Sequence, residues 1–191
     1  GVLIVISNPV DVITGIYQQV TGLPANQVFG TGTYLDTARL KRSLGDALNV
    51  DPRSIQGYML GEHGDSQFAA WSTVRVLGQK ADELVTNYHL DLDAVANDAR
   101  VGGFTVFSGK KYTNFAIAHA AVSLAQLVLS DAHNEAIVSH YDARFAGYIS
   151  TPAIIGRSGV VANFELTLTA DEQRALQQSA NAIAEKTAAY L

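Results

Sequence analysis

The sequence predicts an α+β fold, and three observations carry that prediction. The chain opens on Gly1-Val2-Leu3-Ile4-Val5-Ile6, an apolar β-branched run of the kind that fills central strands of parallel sheets. Two later apolar runs, at 55–60 and 68–77, flank the polar turn Gly61-Glu62-His63-Gly64-Asp65-Ser66 and read as an antiparallel hairpin with an imidazole at its tip. Helical segments separate these from a further antiparallel pair, so the strict strand-helix alternation of an all-parallel sheet is not continued. With 191 residues, 48% hydrophobic and 16% charged, the chain has apolar material for one domain and at most a piece of a second. A net charge of −5 with no basic stripe excludes phosphate-dominated nucleic-acid binding. No run is long and apolar enough to span a bilayer, so no membrane partner is expected, and the absence of cysteine suits a cytoplasmic protein.

In chain order, the opening strand needs parallel neighbours, yet no strand-helix unit comes before it. The chain therefore reads as the C-terminal part of a longer protein. Ser7-Asn8-Pro9-Val10-Asp11 follows, where proline stops the ladder and leaves Asn8 at a strand's C-terminal end, the edge at which open α/β sheets bind ligands. An Asx-type turn reads the same residues equally well. A helix over 10–20 closes at Gly22 and Pro24. The glycines of Gly30-Thr31-Gly32 bring the backbone close to the start of a helix over 35–48, on which Asp36 and Arg39 share a face at i, i+3. Glycines around His63 allow tight turns and close approach, and histidine is the side chain that titrates nearest neutrality. A helix over 90–99 is interrupted by Gly102-Gly103, which would be costly inside a helix unless something must come near. The helix over 113–130 is apolar nearly all round and should be buried between two layers. A strand at 136–139 follows, then an antiparallel pair over 148–155 and 160–168, and a last helix that starts at Thr169-Ala170-Asp171-Glu172 with the look of a capping box.

Ser7-Asn8-Pro9-Val10-Asp11, Gly30-Thr31-Gly32, Leu35-Asp36-Thr37-Ala38-Arg39 and Gly61-Glu62-His63-Gly64-Asp65-Ser66, in that order and spacing, resemble the lactate/malate dehydrogenase family. The resemblance implies that residues 1–22 are the last strand and helix of a Rossmann NAD-binding domain and that 23–191 form the substrate-binding and catalytic domain, with helix 113–130 packing back on the NAD domain. It implies an NAD-dependent L-2-hydroxy-acid dehydrogenase in which His63 is the acid/base and Asp36 the carboxylate that orients it. Arg39 would grip the substrate carboxylate in a bidentate fork, a task separate from that of Asp36. Asn8, joined to Pro9 by a cis bond, would serve both nicotinamide and substrate, while Ile117 and Thr31 would face the cofactor and Thr113 the substrate. Homo-oligomers, dimer or tetramer, are expected of such a chain.

Gly102 and Gly103 fall, by this resemblance, on the pocket wall where lactate dehydrogenases more often carry alanines. Their openness implies longer substrates such as 2-oxoisocaproate, so the expected activity is that of an L-2-hydroxyisocaproate dehydrogenase, with L-lactate dehydrogenase as the alternative. Thr113 disfavours malate. Gln56 carries no charge where sugar-bisphosphate-activated relatives place a histidine, so that activation is not expected. The chain shows neither a GxGxxG phosphate loop nor a lid arginine, so alone it should be inactive or nearly so, and a silent assembly module is the competing class. His133 and His140 lack a further ligand at helical spacing, and no metal is expected.

Overall fold

The computed structural model describes residues 1–190. Its elements are β1 (Leu3–Val5), α1 (Val10–Thr21), β2 (Val28–Gly30), α2 (Tyr34–Leu48), β3 (Ile55–Gln56), β4 (Met59–Leu60), β5 (Phe68–Ala69), β6 (Arg75–Val76), β7 (Gln79–Lys80), α3 (Ala81–Tyr88), α4 (Leu92–Lys110), α5 (Phe115–Leu129), β8 (Asn134–Asp142), β9 (Gly147–Gly156), β10 (Gly159–Asn163) and α6 (Ala170–Ala188). Five strands form one mixed sheet in the order β1-β2-β8-β9-β10, with β1 and β2 parallel and the other pairs antiparallel. The parallel neighbour of the opening strand is thus β2, in a segment that the sequence presents only as a glycine-rich approach to a helix. Gly30 is there for packing: a Cβ on it would stand 2.5 Å from Thr14 Oγ1 and 2.8 Å from Val10 Cγ2, so its absence lets α1 lie against the sheet.

The hairpin around His63 is broken into two short ladders, β3 with β6 and β4 with β5. Gly57, at φ 143° and pressed on Val74, turns the first strand, and a 3-10 turn at Trp71–Thr73 interrupts the second. The His63 turn nevertheless stays at the tip, and Gly61 ties it to the main sheet through paired backbone hydrogen bonds with Ser150, 3.0 and 3.1 Å.

Three expectations are corrected. The helix expected to stop before Gly102-Gly103 runs on as α4 to Lys110. Two mid-helix glycines cost roughly 1 kcal/mol each, which a helix already packed on α2 through Val95, Ala99, Leu40 and Leu44 absorbs. The apolar helix α5 is not buried between layers: Leu124 and Ala120 pack inward, while Phe115, Val122 and Leu129 are exposed, Phe115 at 77%. The strand expected at 136–139 is nine residues long and pairs along its whole length with β9, while β10 ends at Asn163 after a register shift at Val160/Ala162. Helix α3 was not foreseen. The last helix starts as expected: Thr169 accepts from the Glu172 amide at 3.2 Å, and Glu172 accepts from the Thr169 amide at 2.9 Å.

Apolar clusters fill three spaces. One lies among α2, α3, α4 and the short strands around Leu44, Met59 and Leu84. A second, around Val12, Ile149, Leu176 and Ile183, joins α1 and α6 to β9, and a third, around Phe29, Leu124, Val138 and Ile155, seats α5 on the sheet. The His63 turn sits where the first two meet the C-terminal ends of β1 and β2.

Candidate active site

The site is built on two helix starts. Asp11 and Asp36 occupy the first turns of α1 and α2, where unpaired backbone N–H groups favour negative charge, and both are buried, Asp36 at 1% exposure. The start of α2 is pinned to β4: Thr33 Oγ1 donates to the Met59 carbonyl at 2.6 Å, and the Met59 amide donates to Thr37 Oγ1 at 3.0 Å. The turn after β4 then delivers His63 between the two carboxylates. Its backbone N–H donates to Asp11 Oδ2 at 2.8 Å, and its ring Nδ1 pairs with Asp36 Oδ2 at 2.6 Å.

The other Asp36 oxygen, Oδ1, accepts from Arg39 at 2.8 Å. Asp36 thus bridges Arg39 and His63, one carboxylate oxygen to each, and joins the three side chains in one line. One guanidinium nitrogen is committed to Asp36, and the remaining edge is free to meet an anion in the cleft. Burial pushes the imidazole of His63 down, but the hydrogen bond and charge of Asp36, with the charge of Asp11, carry it above the ordinary histidine value against an opposing push from Arg39. Burial in turn raises Asp11, against its bond from the His63 amide.

These groups open on a cleft of about 800 Å³, lined among others by Ile6, Asn8, Thr31, Asp36, Arg39, His63, Gly103, Thr113 and Ile117. The residues singled out from the sequence thus converge from separate stretches of the chain. Asn8 stands at the cleft, and its bond to Pro9 is cis. Thr31 is held by its amide to the Val5 carbonyl at 2.9 Å, and Ile117 faces in from the first turns of α5. Gly102 is the exception. It lies behind Arg39, where a Cβ would come within 2.8 Å of the arginine Cδ, whereas Gly103 faces the guanidinium with an ordinary 3.6 Å.

Asp11 was quoted in a motif but given no role, and nothing in its spacing announces a bond to an amide 52 residues on. Asp65, Gln67, Arg100 and Lys110 also line the cleft without having been foreseen. The two histidines weighed as ligands are engaged elsewhere: His140 is buried against Thr151 Oγ1 at 2.8 Å, and His133 lies 3.3 Å from Asp131. Among the described residues no cluster of histidines and carboxylates has the makings of a metal site, and no helix is long and apolar enough to cross a membrane.

Comparison with known proteins gives the same direction. The profile of the lactate/malate dehydrogenase alpha/beta C-terminal domain matches residues 33–189. L-lactate dehydrogenase 1 of Lactobacillus acidophilus is 35% identical over 192 residues, covering 97% of this chain and 59% of that protein. The L-lactate dehydrogenase of Treponema denticola is 38% identical over 195 residues, covering 97% and 62%. Among solved structures, the ligand-bound minor L-lactate dehydrogenase of Enterococcus mundtii superimposes with a TM-score of 0.92 at 33% identity, over 97% of this chain and 62% of that one. A lactate dehydrogenase from a Medee basin deep-sea metagenome library gives 0.91 at 30% identity over the same shares. The chain spans about three-fifths of the length of these relatives. With a domain profile over most of its length, the same fold at high overlap, and Asp36, Arg39 and His63 joined at one cleft, the chain belongs to the lactate/malate dehydrogenase family.

Proposed function

We propose that this chain is the catalytic and substrate-binding part of an NAD-dependent L-2-hydroxy-acid dehydrogenase, with L-lactate and pyruvate as its substrate pair. The observation that carries the reading is the hydrogen-bonded line Arg39–Asp36–His63 at the cleft, an anion grip and a proton donor set side by side. The outer edge of Arg39 pairs with the carboxylate of a 2-oxo acid. With Nδ1 tied to Asp36, His63 keeps Nε2 for the carbonyl oxygen and donates a proton there in reduction, or takes one from the alcohol in oxidation. Asp36 stabilises the charged imidazolium that this cycle needs, and Asp11 holds the backbone from which the ring hangs.

The lining suits the nicotinamide end of the cofactor: Asn8 offers an amide for a carboxamide or a carbonyl, Ile117 and Ile6 offer an apolar face for a ring, and Thr31 borders the path. Bound there, the dinucleotide supplies or accepts the hydride. The bare face of α5 is the surface on which a nucleotide-binding domain would pack, and dimers or tetramers belong to the same proposal, to be read by sedimentation.

L-lactate is preferred over L-2-hydroxyisocaproate for two reasons. The relatives named above are L-lactate dehydrogenases. Moreover, of the two glycines taken as opening the pocket, Gly103 lines the cleft while Gly102 makes room for the stem of Arg39. Nuclear magnetic resonance titration of the chain with pyruvate, 2-oxoisocaproate and the pyruvate isostere oxamate tests this. Perturbation of His63 by oxamate, abolished in Arg39→Gln, and tighter binding of pyruvate than of 2-oxoisocaproate are expected. Equal binding in Arg39→Gln would sink the reading, and preference for 2-oxoisocaproate would restore the longer substrate.

A further inference from the structure

With the reading of His63 as proton donor as its basis, we infer that Lys186, near the end of the C-terminal helix, is a positioning residue whose ammonium locks Glu62 into a buried clamp with Ser66 and Ser179 and so fixes the turn that aims the His63 ring at Asp36. Glu62 is the residue before His63 and only 5% exposed. A carboxylate so placed has to be paired, and both oxygens are: Oε1 with Lys186, and Oε2 with the Ser66 hydroxyl at 2.6 Å. The Glu62 amide donates to Ser179 Oγ at 2.6 Å, and Ser66 and Ser179 share a hydrogen bond of 3.0 Å. Ser179 and Lys186, seven residues apart and two turns along α6, present one face to the turn.

The glycines of the motif fit this clamp. Gly61, at φ 95°, leaves no room for a side chain, since a Cβ would lie 2.5 Å from Ser179 Oγ, and one on Gly64 would lie 2.9 Å from Glu62 Cδ. The other end of α6 is fastened to the turn that follows β5, because the Ser72 amide donates to Glu172 Oε1 at 2.9 Å. Lys186 itself is half exposed, yet its bond to Glu62 raises it above the ordinary lysine value, helped by the charges of Asp65 and Asp11. Glu62 is held below the ordinary glutamate value despite burial, by its bonds from Lys186 and Ser66.

Removing the ammonium leaves Glu62 Oε1 without a partner and its buried charge uncompensated, with only the Ser66 bond to Oε2 remaining, and the turn must move to rehydrate it. His63 is covalently next in line, so the 2.6 Å bond from its ring to Asp36 lengthens.

The test is the proton resonance of the His63 Nδ1–H in the intact chain, expected far downfield and assigned by its disappearance in His63→Gln. Lys186→Met is expected to broaden it into loss while the amide signals of β8 and β9 stay in place, and Lys186→Arg is expected to keep it. Retention in Lys186→Met, or loss in both variants, overturns the proposal. Should Lys186→Met unfold the chain, Glu62→Gln asks the same question: loss supports the clamp and retention overturns it. Neither readout uses cofactor or substrate, so the dehydrogenase reading stands or falls separately by the oxamate titration.

Discussion

The two walls of the cleft are built differently. The wall that carries His63 is tied from every side: α1 through Asp11, α2 through Asp36, β9 through Ser150 and α6 through Ser179 and Lys186. The wall opposite is one helix and the start of the next, α4 and α5, with Phe104, Phe107 and Phe115 in solvent and two glycines in the middle of α4. On the proposed function the contrast has a reason: proton transfer tolerates little misplacement, so its groups would be fixed by bonds that cross the chain, whereas a surface that receives a substrate side chain would need only shape. Changes on the first wall should therefore cost chemistry, and changes on the second should adjust fit.

Asp36→Asn breaks the first wall most deeply. The imidazole loses its charged partner and Arg39 loses its counter-ion, so the His63 pKa falls from above its ordinary value. Any turnover that the chain supports with NADH should drop by roughly 10²- to 10⁴-fold, the span that general acid–base catalysis supplies. Stability reports the same bond. The folded pKa of His63 lies above the unfolded 6.5, so the folded state holds the proton more tightly. That contribution is complete below about pH 6.5 and is lost as pH rises through the folded value. Thermal melts of the parent from about pH 5.5 to about 8.5 should show a decline over that window that Asp36→Asn removes. A decline of the same size in Asp36→Asn would assign it to other groups.

Arg39→Lys keeps the charge and removes the fork. A lysine can meet Asp36 or a substrate carboxylate but not both with paired bonds, so oxamate should bind about 1.5 to 3 kcal/mol less well, roughly 10- to 150-fold, by isothermal titration. Unchanged affinity would mean that the guanidinium serves Asp36 alone.

Much of the first wall was legible because its residues stand in short, dense motifs: His63 between glycines, and Asp36 and Arg39 at a spacing that places them on one helix face. What was not legible is long-range. Asp11 reads as an ordinary acidic residue in a helix's first turn, and no local pattern joins Lys186 to Glu62 across 124 residues. The fold shows the same division. The C-terminal end of α1 and the start of α6 followed from Gly22 and Thr169-Glu172, but the run of β2 merges into a glycine turn and does not stand out, and local propensity cuts α4 short because it counts the cost of glycine without seeing the arginine packed against it.

That arginine gives the smallest and most discriminating test of the second wall. Gly102→Ala and Gly103→Ala are the same chemical change at adjacent helical positions, and each should gain up to about 1 kcal/mol of intrinsic helix stability. At Gly102 the new methyl stands 2.8 Å from Arg39 Cδ, which has to move off its preferred rotamer at about 0.5–1.5 kcal/mol, so carboxylate binding should weaken by roughly 2- to 10-fold whatever the substrate side chain. At Gly103 the methyl meets the guanidinium at an ordinary 3.6 Å, so pyruvate affinity should stay within about 2-fold while 2-oxoisocaproate, whose side chain needs the space, loses more. Isothermal titration of both variants with both acids separates the two positions. If Gly103→Ala weakens pyruvate as much as 2-oxoisocaproate, the glycine at 103 serves the arginine as its neighbour does, and the helical wall has no part in choosing the substrate.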